Sequence, residues 1–453
     1  MCRNSAIGLI LLLLPAGLVN TKLDSNPDIQ LKTDELAKRY GYPFEEHKVI
    51  TDDGYILGLH RIPFGRSNYR NQFGGRPPVL LMHGLGGSSA DWILMGPGYS
   101  LAYLLADGGY DVWLGNNRGN VYSRNHSTME PSHRYFWDFS FHELGVYDLP
   151  AMVDHILRVT RRRSLQYVGH SQGTTQFLVM TSQRPSYNSK ISLATGLAPA
   201  AFTGYMRGPI TQLTKLAYFG VWVGENFGYP EFAQRSRWGR FVSSLFCQSA
   251  APTQAFCSTK FYLLAGFSPD IDLDKLPVIL GHVPAGASWK QLIHYGQGYI
   301  NPGYFRLFDY GDIKKNYQIY GSPSPPEYQL STITVPVALF SSTSDFLTTP
   351  KVEQYHLSSR DLNEPVQPLR FSLGKNRSTT RFRASDAANG EIPISPVMTK
   401  NIQKNTAESC CYQTVLVNVE VNLLRVKFDL ASFLCSRVKI FQLTSALTLR
   451  RLL

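Results

Sequence analysis

Apolar residues in this chain gather into short unbroken runs, each closed by glycine-rich or polar punctuation. Val79-Leu80-Leu81-Met82 is one such run, and it stops at His83-Gly84-Leu85-Gly86-Gly87. A strand that is apolar at every position has no solvent-facing side, which suits the middle of a parallel sheet. Tyr110 to Leu114, closed by Gly115-Asn116-Asn117-Arg118-Gly119, nearly repeats the pattern, interrupted only by Asp111, as do Leu165 to Val168, interrupted by Gln166, and Val335 to Phe340. Helix-compatible segments fall between them, near Ser100 to Ala106 and from Phe141 to about Arg158. Ahead of these, Leu36 to Tyr40 predicts a short helix, and Glu45 to Pro63 a hairpin turning at Asp52-Asp53-Gly54. Strands alternating with helices over short loops predict an α/β, doubly wound sheet whose working loops lie at the carboxyl ends of its strands.

From about residue 201 to residue 330 the alternation stops and aromatic residues accumulate, which reads as an inserted cap or lid domain. Phe219, Trp222, Phe227, Phe232, Trp238, Phe241 and Phe246 are expected to form mostly the cap's own core, the remainder being free to line a pocket for a greasy ligand. The sheet then resumes, with Pro368 to Leu373 as a last strand-like stretch. The predicted organisation is a signal peptide at 1–20, a first part of the core at 21–200, the cap at 201–330, a second part of the core at 331–373 and a tail at 374–453.

Composition narrows the class. With 453 residues, 43% hydrophobic and 17% charged, the chain can bury a large core. Met1-Cys2-Arg3, the apolar stretch Ile7 to Leu14 and the small residues around Ala16 have the layout of a secretory signal, too short to span a bilayer. An uncleaved anchor is the alternative reading, and no later segment reads as membrane-spanning. More than half of the net charge of +12 lies after residue 356, and no basic run is interleaved with stacking aromatics, so a nucleic-acid partner is not expected. Cys247 and Cys257 suit a disulfide in a secreted chain, since their neighbourhood lacks the further ligands a zinc site needs. Asn125-His126-Ser127 and Asn376-Arg377-Ser378 fit the glycosylation sequon, a short pattern that also arises by chance.

The chemistry centres on Gly169-His170-Ser171-Gln172-Gly173, which follows the strand Leu165 to Val168 and precedes the unbroken segment Thr174 to Met180. Glycines on either side let the backbone turn sharply from strand to helix and present the Ser171 hydroxyl as a nucleophile. Acyl transfer also needs donors waiting for the oxyanion. The amide of Gln172 and that of Leu85, in the loop after the earlier strand, are the candidates. His83 and His170 sit in tight loops beside those donors and are expected to be structural.

These stretches, with Tyr40-Gly41-Tyr42-Pro43, Gly54-Tyr55-Ile56-Leu57, His60-Arg61-Ile62-Pro63, Tyr147-Asp148-Leu149-Pro150 and Pro284-Ala285-Gly286, closely resemble the acid lipase family from about residue 30 to about 373. The resemblance implies an α/β-hydrolase fold with an inserted cap and lid. It implies hydrolysis of neutral lipid esters at a lipid–water interface, without cofactor or metal, in a secreted or lysosomal protein. Ser171 matches the family nucleophile, Leu85 and Gln172 its oxyanion positions, Asp345 its triad aspartate, and Cys247 with Cys257 its cap disulfide. Asp345 also lies where a triad acid belongs without the family, after Ser171 in order and just past a strand; capping the segment that opens at Pro350 is its alternative.

The match fails at the base. The family histidine follows the next strand in an Asn-His-Leu-Asp context, whereas this chain has no histidine after His356. His356 stands so soon after Asp345, on what reads as the intervening helix, that it is not expected to serve. Beyond Gly374 the sequence is unlike any lipase, and the tail is expected to be poorly ordered. We expect the reading frame or splicing to depart from the functional product near Lys375; the alternative is a genuine product that binds lipid and hydrolyses it poorly. A non-enzymatic lipid carrier and a carboxylesterase are the remaining readings.

Overall fold

The computed structural model describes residues 26–66, 75–232, 272–342 and 344–349, the single positions 247, 253, 254 and 259, and the backbone of 369–373. The expected signal peptide, Trp238, Phe241, Phe246, Cys257, His356, Asn376 and the tail from 374 lie outside the described residues.

Eleven strands are present among the described residues: β1 (Glu45–Ile50), β2 (Tyr55–Ile62), β3 (Pro78–Met82), β4 (Asp111–Gly115), β5 (Asn125–His126), β6 (Leu165–His170), β7 (Ile191–Leu197), β8 (Glu231–Phe232), β9 (Ala287–Ser288), β10 (Val337–Ser342) and β11 (Leu369–Leu373). The main sheet runs β1-β2-β4-β3-β6-β7-β10-β11, with β5 paired to β2. From β4 to β11 every pairing is parallel, while β1 and β2 form the antiparallel hairpin at one edge. Strands β3, β4 and β6 are buried at every position, which is why their sequences carry no polar alternation.

Alternate residues of these strands feed two separate cores, one on each face of the sheet. Leu80, Met82, Trp113 and Tyr167 enter one, and Val79, Leu81, Val112, Leu114 and Val168 the other. The helices covering the sheet include α1 (Thr33–Arg39), α2 (Leu101–Asp107), the short α3 (Phe141–Glu143), α4 (Leu149–Thr160) and α5 (Gln172–Gln183). Between β7 and β10 lie α6 (Ile210–Thr214), α7 (Ala217–Phe227), α8 (Leu276–His282), α9 (Trp289–Ile300) and α10 (Ile313–Tyr320).

Three of the seven aromatic residues expected to lie mostly in the cap's core depart from that expectation. Phe219, Trp222 and Phe227 are 62%, 55% and 73% exposed, so they are not the core of a cap. The reason lies in α7 itself. Its buried face is made of Ala217, Val221 and Gly224; a Cβ on Gly296 of α9 would lie 3.1 Å from Ala217 Cβ, one on Gly220 would meet Ile293 of α9 at 2.9 Å, and one on Gly224 would overlap the Tyr229 ring. The large rings are left on the outer side, where Trp222 packs against both Phe219 and Phe227.

Candidate active site

The sharp turn expected at residue 171 is present. Ser171 joins β6 to α5 with φ 51° and ψ −113°, a left-handed conformation that L-residues adopt at a cost. The flanking glycines explain how it fits. A Cβ on Gly169 would stand 2.5 Å from the Gly173 carbonyl carbon, and one on Gly173 would overlap Met82 O at the end of β3. Strand, elbow and neighbouring strand therefore meet backbone to backbone. The Ser171 amide donates to Leu197 O at 2.8 Å, and its carbonyl accepts from Thr174 at 2.9 Å. Ser171 stays partly exposed, and among the described residues its hydroxyl has no hydrogen-bond partner.

Registry brings the second loop alongside. Met82 pairs with Gly169, so the chain leaving β3 at His83 runs beside the elbow. A Cβ on Gly84 would lie 3.3 Å from Ser171 Cβ and 3.1 Å from His170 Nδ1. Only a residue without a side chain lets this loop come so near. The amides of Leu85 and of Gln172, the first residue of α5, make no backbone hydrogen bond among the described residues. Gln172 opens a twelve-residue helix, whose first amides carry the positive end of the helix dipole.

The loop after β3 is clamped from two sides. His83 is buried, its Nδ1 2.8 Å from Gly84 O, while its Nε2 accepts from the Asn117 amide and lies 3.2 Å from Asn120 Nδ2. Ser89 N donates to Asn116 Oδ1, and Ala285 N to Gly86 O. Burial lowers the His83 pKa to about 4 and, with the His83 charge nearby, that of His170 to about 3, so both rings are neutral near pH 7. Asp91 packs against Gly87 in the same loop. Among the described residues its buried Oδ1 has no partner, and burial raises its pKa to about 7.

Asp345 lies just past the carboxyl end of β10, two strands from the elbow, and is 2% exposed. Its Oδ1 accepts from the amides of Leu347 and Thr348, and its Oδ2 from Thr348 Oγ1 at 2.5 Å. The carboxylate thus braces its own turn, whereas the segment opening at Pro350 lies outside the described residues. Cys247 is buried against Leu276. Among the described residues no group of three His, Cys, Asp or Glu side chains is placed to hold a metal ion.

Two features were not anticipated. Helix α9 lies over the first turn of α5, where Gln291 Nε2 donates to Gln172 Oε1 at 3.1 Å and Tyr295 OH to Thr175 Oγ1 at 3.0 Å. The loop after β4 supplies Asn116, Asn117 and Asn120 as the clamp on the β3 loop. A capping box, Ser288 with Gln291, marks the start of α9 in the sequence. Nothing in the sequence says which helix it would touch.

Comparisons with known proteins agree with this geometry. Residues 33–96 match the model described as "Partial alpha/beta-hydrolase lipase region", and residues 77–242 match "alpha/beta hydrolase fold". The chain is 45% identical to Lipase 1 of Drosophila melanogaster, over 73% of this chain and 71% of that one. It is 43% identical to Lipase 3 of the same fly, over 68% and 77%, and 38% identical to gastric triacylglycerol lipase of Rattus norvegicus, over 74% and 84%. Sheet, elbow and family models together define an α/β hydrolase. At this identity and coverage the chain belongs to the acid lipase family, a family of carboxylic ester hydrolases.

Proposed function

We propose that the chain is built to hydrolyse neutral lipid esters, triacylglycerol or sterol ester, with Ser171 as nucleophile. Attack of Oγ on the ester carbonyl gives a tetrahedral oxyanion, which the amides of Leu85 and Gln172 receive, and collapse expels the alcohol. In this reading Asp345 is the acid that orients the base, supported by its position after Ser171 in order and just past β10. The observation that carries the reading is the strained backbone of Ser171, because a positive φ at a serine is kept only where the surroundings force it.

Turnover of this chain is impaired, since a triad without its base loses orders of magnitude in rate while pocket and donors remain. The support is the sequence, which holds no histidine after His356. The second reading, a lipid-binding or carrier protein on the same fold, rests on that missing histidine. A serine-directed phosphonate separates the two: labelling at Ser171 supports the hydrolase, and acyl-ligand binding without labelling supports the carrier.

The segment from 201 to 330 is a cap over the elbow, a reading supported by the Gln291 and Tyr295 contacts to α5. It meets the lipid–water interface with the exposed row Leu213, Leu216, Phe219, Trp222 and Phe227. Among the described residues no helix is long and apolar enough to cross a membrane. A secreted or lysosomal destination is supported by the N-terminal apolar run, by the exposed Asn125 in its sequon, and by Cys247 being disulfide-bonded, with Cys257 as its proposed partner.

A further inference from the structure

Among the buried groups beside the elbow, His83 is the one whose hydrogen bonds determine a direction. The Asn117 backbone amide can only donate, so His83 Nε2 must carry a lone pair. In a neutral imidazole the proton is then on Nδ1, where it donates to Gly84 O at 2.8 Å. The same carbonyl accepts from the Gly87 amide at 3.1 Å. Gly84 C=O and Leu85 N–H belong to one planar trans peptide and point in opposite directions. Whatever holds that carbonyl also aims that amide.

From this geometry we infer that His83 is a positioning residue, its Nδ1–H fixing the Gly84 carbonyl so that the Leu85 amide faces the oxyanion formed at Ser171. The inference rests on the hydrolase reading and adds to it an agent and a tautomer. Asn117 and Asn120 enforce the tautomer through Nε2. Gly84 brings the peptide beside Ser171, its hypothetical Cβ lying 3.3 Å from Ser171 Cβ. Burial, which keeps the ring neutral, agrees with this arrangement.

Two substitutions separate aiming from packing. An asparagine side-chain amide reaches where Nδ1 stood and can still donate to Gly84 O; a glutamine amide reaches where Nε2 stood and cannot. The readout is labelling of Ser171 by a p-nitrophenyl alkylphosphonate. The Oγ–P bond forms, p-nitrophenolate leaves and the hydroxyl proton passes to water, so unaltered chain and variants share the same chemistry. His83→Asn should label within about threefold of the unaltered chain, whereas His83→Gln should label about 100-fold more slowly with unchanged reversible binding, the loss typical of one oxyanion donor. Crystal structures should show the Gly84–Leu85 peptide kept in His83→Asn and rotated in His83→Gln. Equal labelling rates for the two variants, or an unrotated peptide in His83→Gln, would overturn the inference. Independently of any variant, ¹⁵N spectra of histidine-labelled protein should place the His83 proton on Nδ1; a proton on Nε2 overturns it. If Ser171 of the unaltered chain does not label at all, the hydrolase reading fails instead, and peptide orientation and tautomer still decide the role of His83.

Discussion

Gln291 of α9 donates a hydrogen bond of 3.1 Å to the side chain of Gln172, the residue directly after Ser171. Both side chains are about 1% exposed, so neither has water as an alternative partner. The segment between β7 and β10 is thereby tied to the first residue of α5. Gln291 also accepts from the Ser288 amide through Oε1, closing the capping box of α9. Gln291→Glu keeps that acceptor and removes the donor to Gln172. We predict a loss of about 1–3 kcal/mol in a urea titration, the cost of a buried unsatisfied group. Tyr295→Phe, which removes only the bond to Thr175, should cost about 0.5–1.5 kcal/mol.

Strain at the elbow predicts an exchange of activity for stability. Ser171→Gly accepts the positive φ without a Cβ and should raise stability by about 1 kcal/mol, while Ser171→Ala should leave stability nearly unchanged. Thermal unfolding of the two variants checks this; a glycine variant less stable than the alanine one contradicts it.

Arg118 is a buried charge on the loop after β4. Its guanidinium is 1% exposed and bonds Asp148 at 2.7 Å and Asp53 at 2.6 and 2.8 Å, with the Tyr55 ring 4.0 Å from its centre. Burial opposes the charge, but the two carboxylates outweigh it and hold the pKa above the ordinary arginine value. Arg118→Met strands Asp148, which is fully buried, and should destabilise by about 3–5 kcal/mol. Because Asn116, Asn117 and Asn120 lie on the same loop, the clamp on the β3 loop should loosen as well, which hydrogen exchange at residues 84–89 would show.

Acid should unfold the protein through its buried histidines. Burial lowers the pKa of His60 and His83 to about 4 and of His170 and His294 to about 3, from 6.5. A depressed folded-state pKa contributes stability that is complete above pH 6.5 and is lost as pH falls through the folded value. Each histidine should therefore remove about 1.4 kcal/mol per pH unit between 6.5 and its own pKa. Asp91 acts in the opposite sense. Its pKa is raised by burial to about 7, so its contribution is intact below pH 3.8 and declines as pH rises from 3.8 to 7. Asp91→Asn should abolish that decline in a pH series of urea titrations and leave the histidine-driven loss in place.

What the sequence made legible was whatever local chemistry decides. Val79 to Met82 is apolar throughout and Leu165 to Val168 apolar but for Gln166 because both their faces are covered, and both are central strands. Gly169 and Gly173 predict a sharp turn from strand to helix, and the elbow is there. The outward rings of α7 were misread because a count of aromatic residues does not say which face of a helix they occupy. Ala217, Val221 and Gly224 at helical spacing were the better guide to its buried side. The clamp of Asn117 and Asn120 on His83, and that of Gln291 on Gln172, join residues 34, 37 and 119 positions apart. Contacts of that range are set by sheet order and leave no local pattern.

The proposed site has a nucleophile and oxyanion donors and lacks a base. Its most direct test is hydrolysis of a short-chain soluble ester by this chain and by a variant in which the sequence after Leu373 is replaced by a segment carrying the family's histidine in its Asn-His-Leu-Asp context. A histidine there should raise kcat by about 10⁶-fold, the scale of loss when the triad histidine is removed, and Ser171→Ala should abolish the gain. Turnover by the unaltered chain equal to that of the variant, and abolished by Ser171→Ala, would show that a base is already present and would contradict the account.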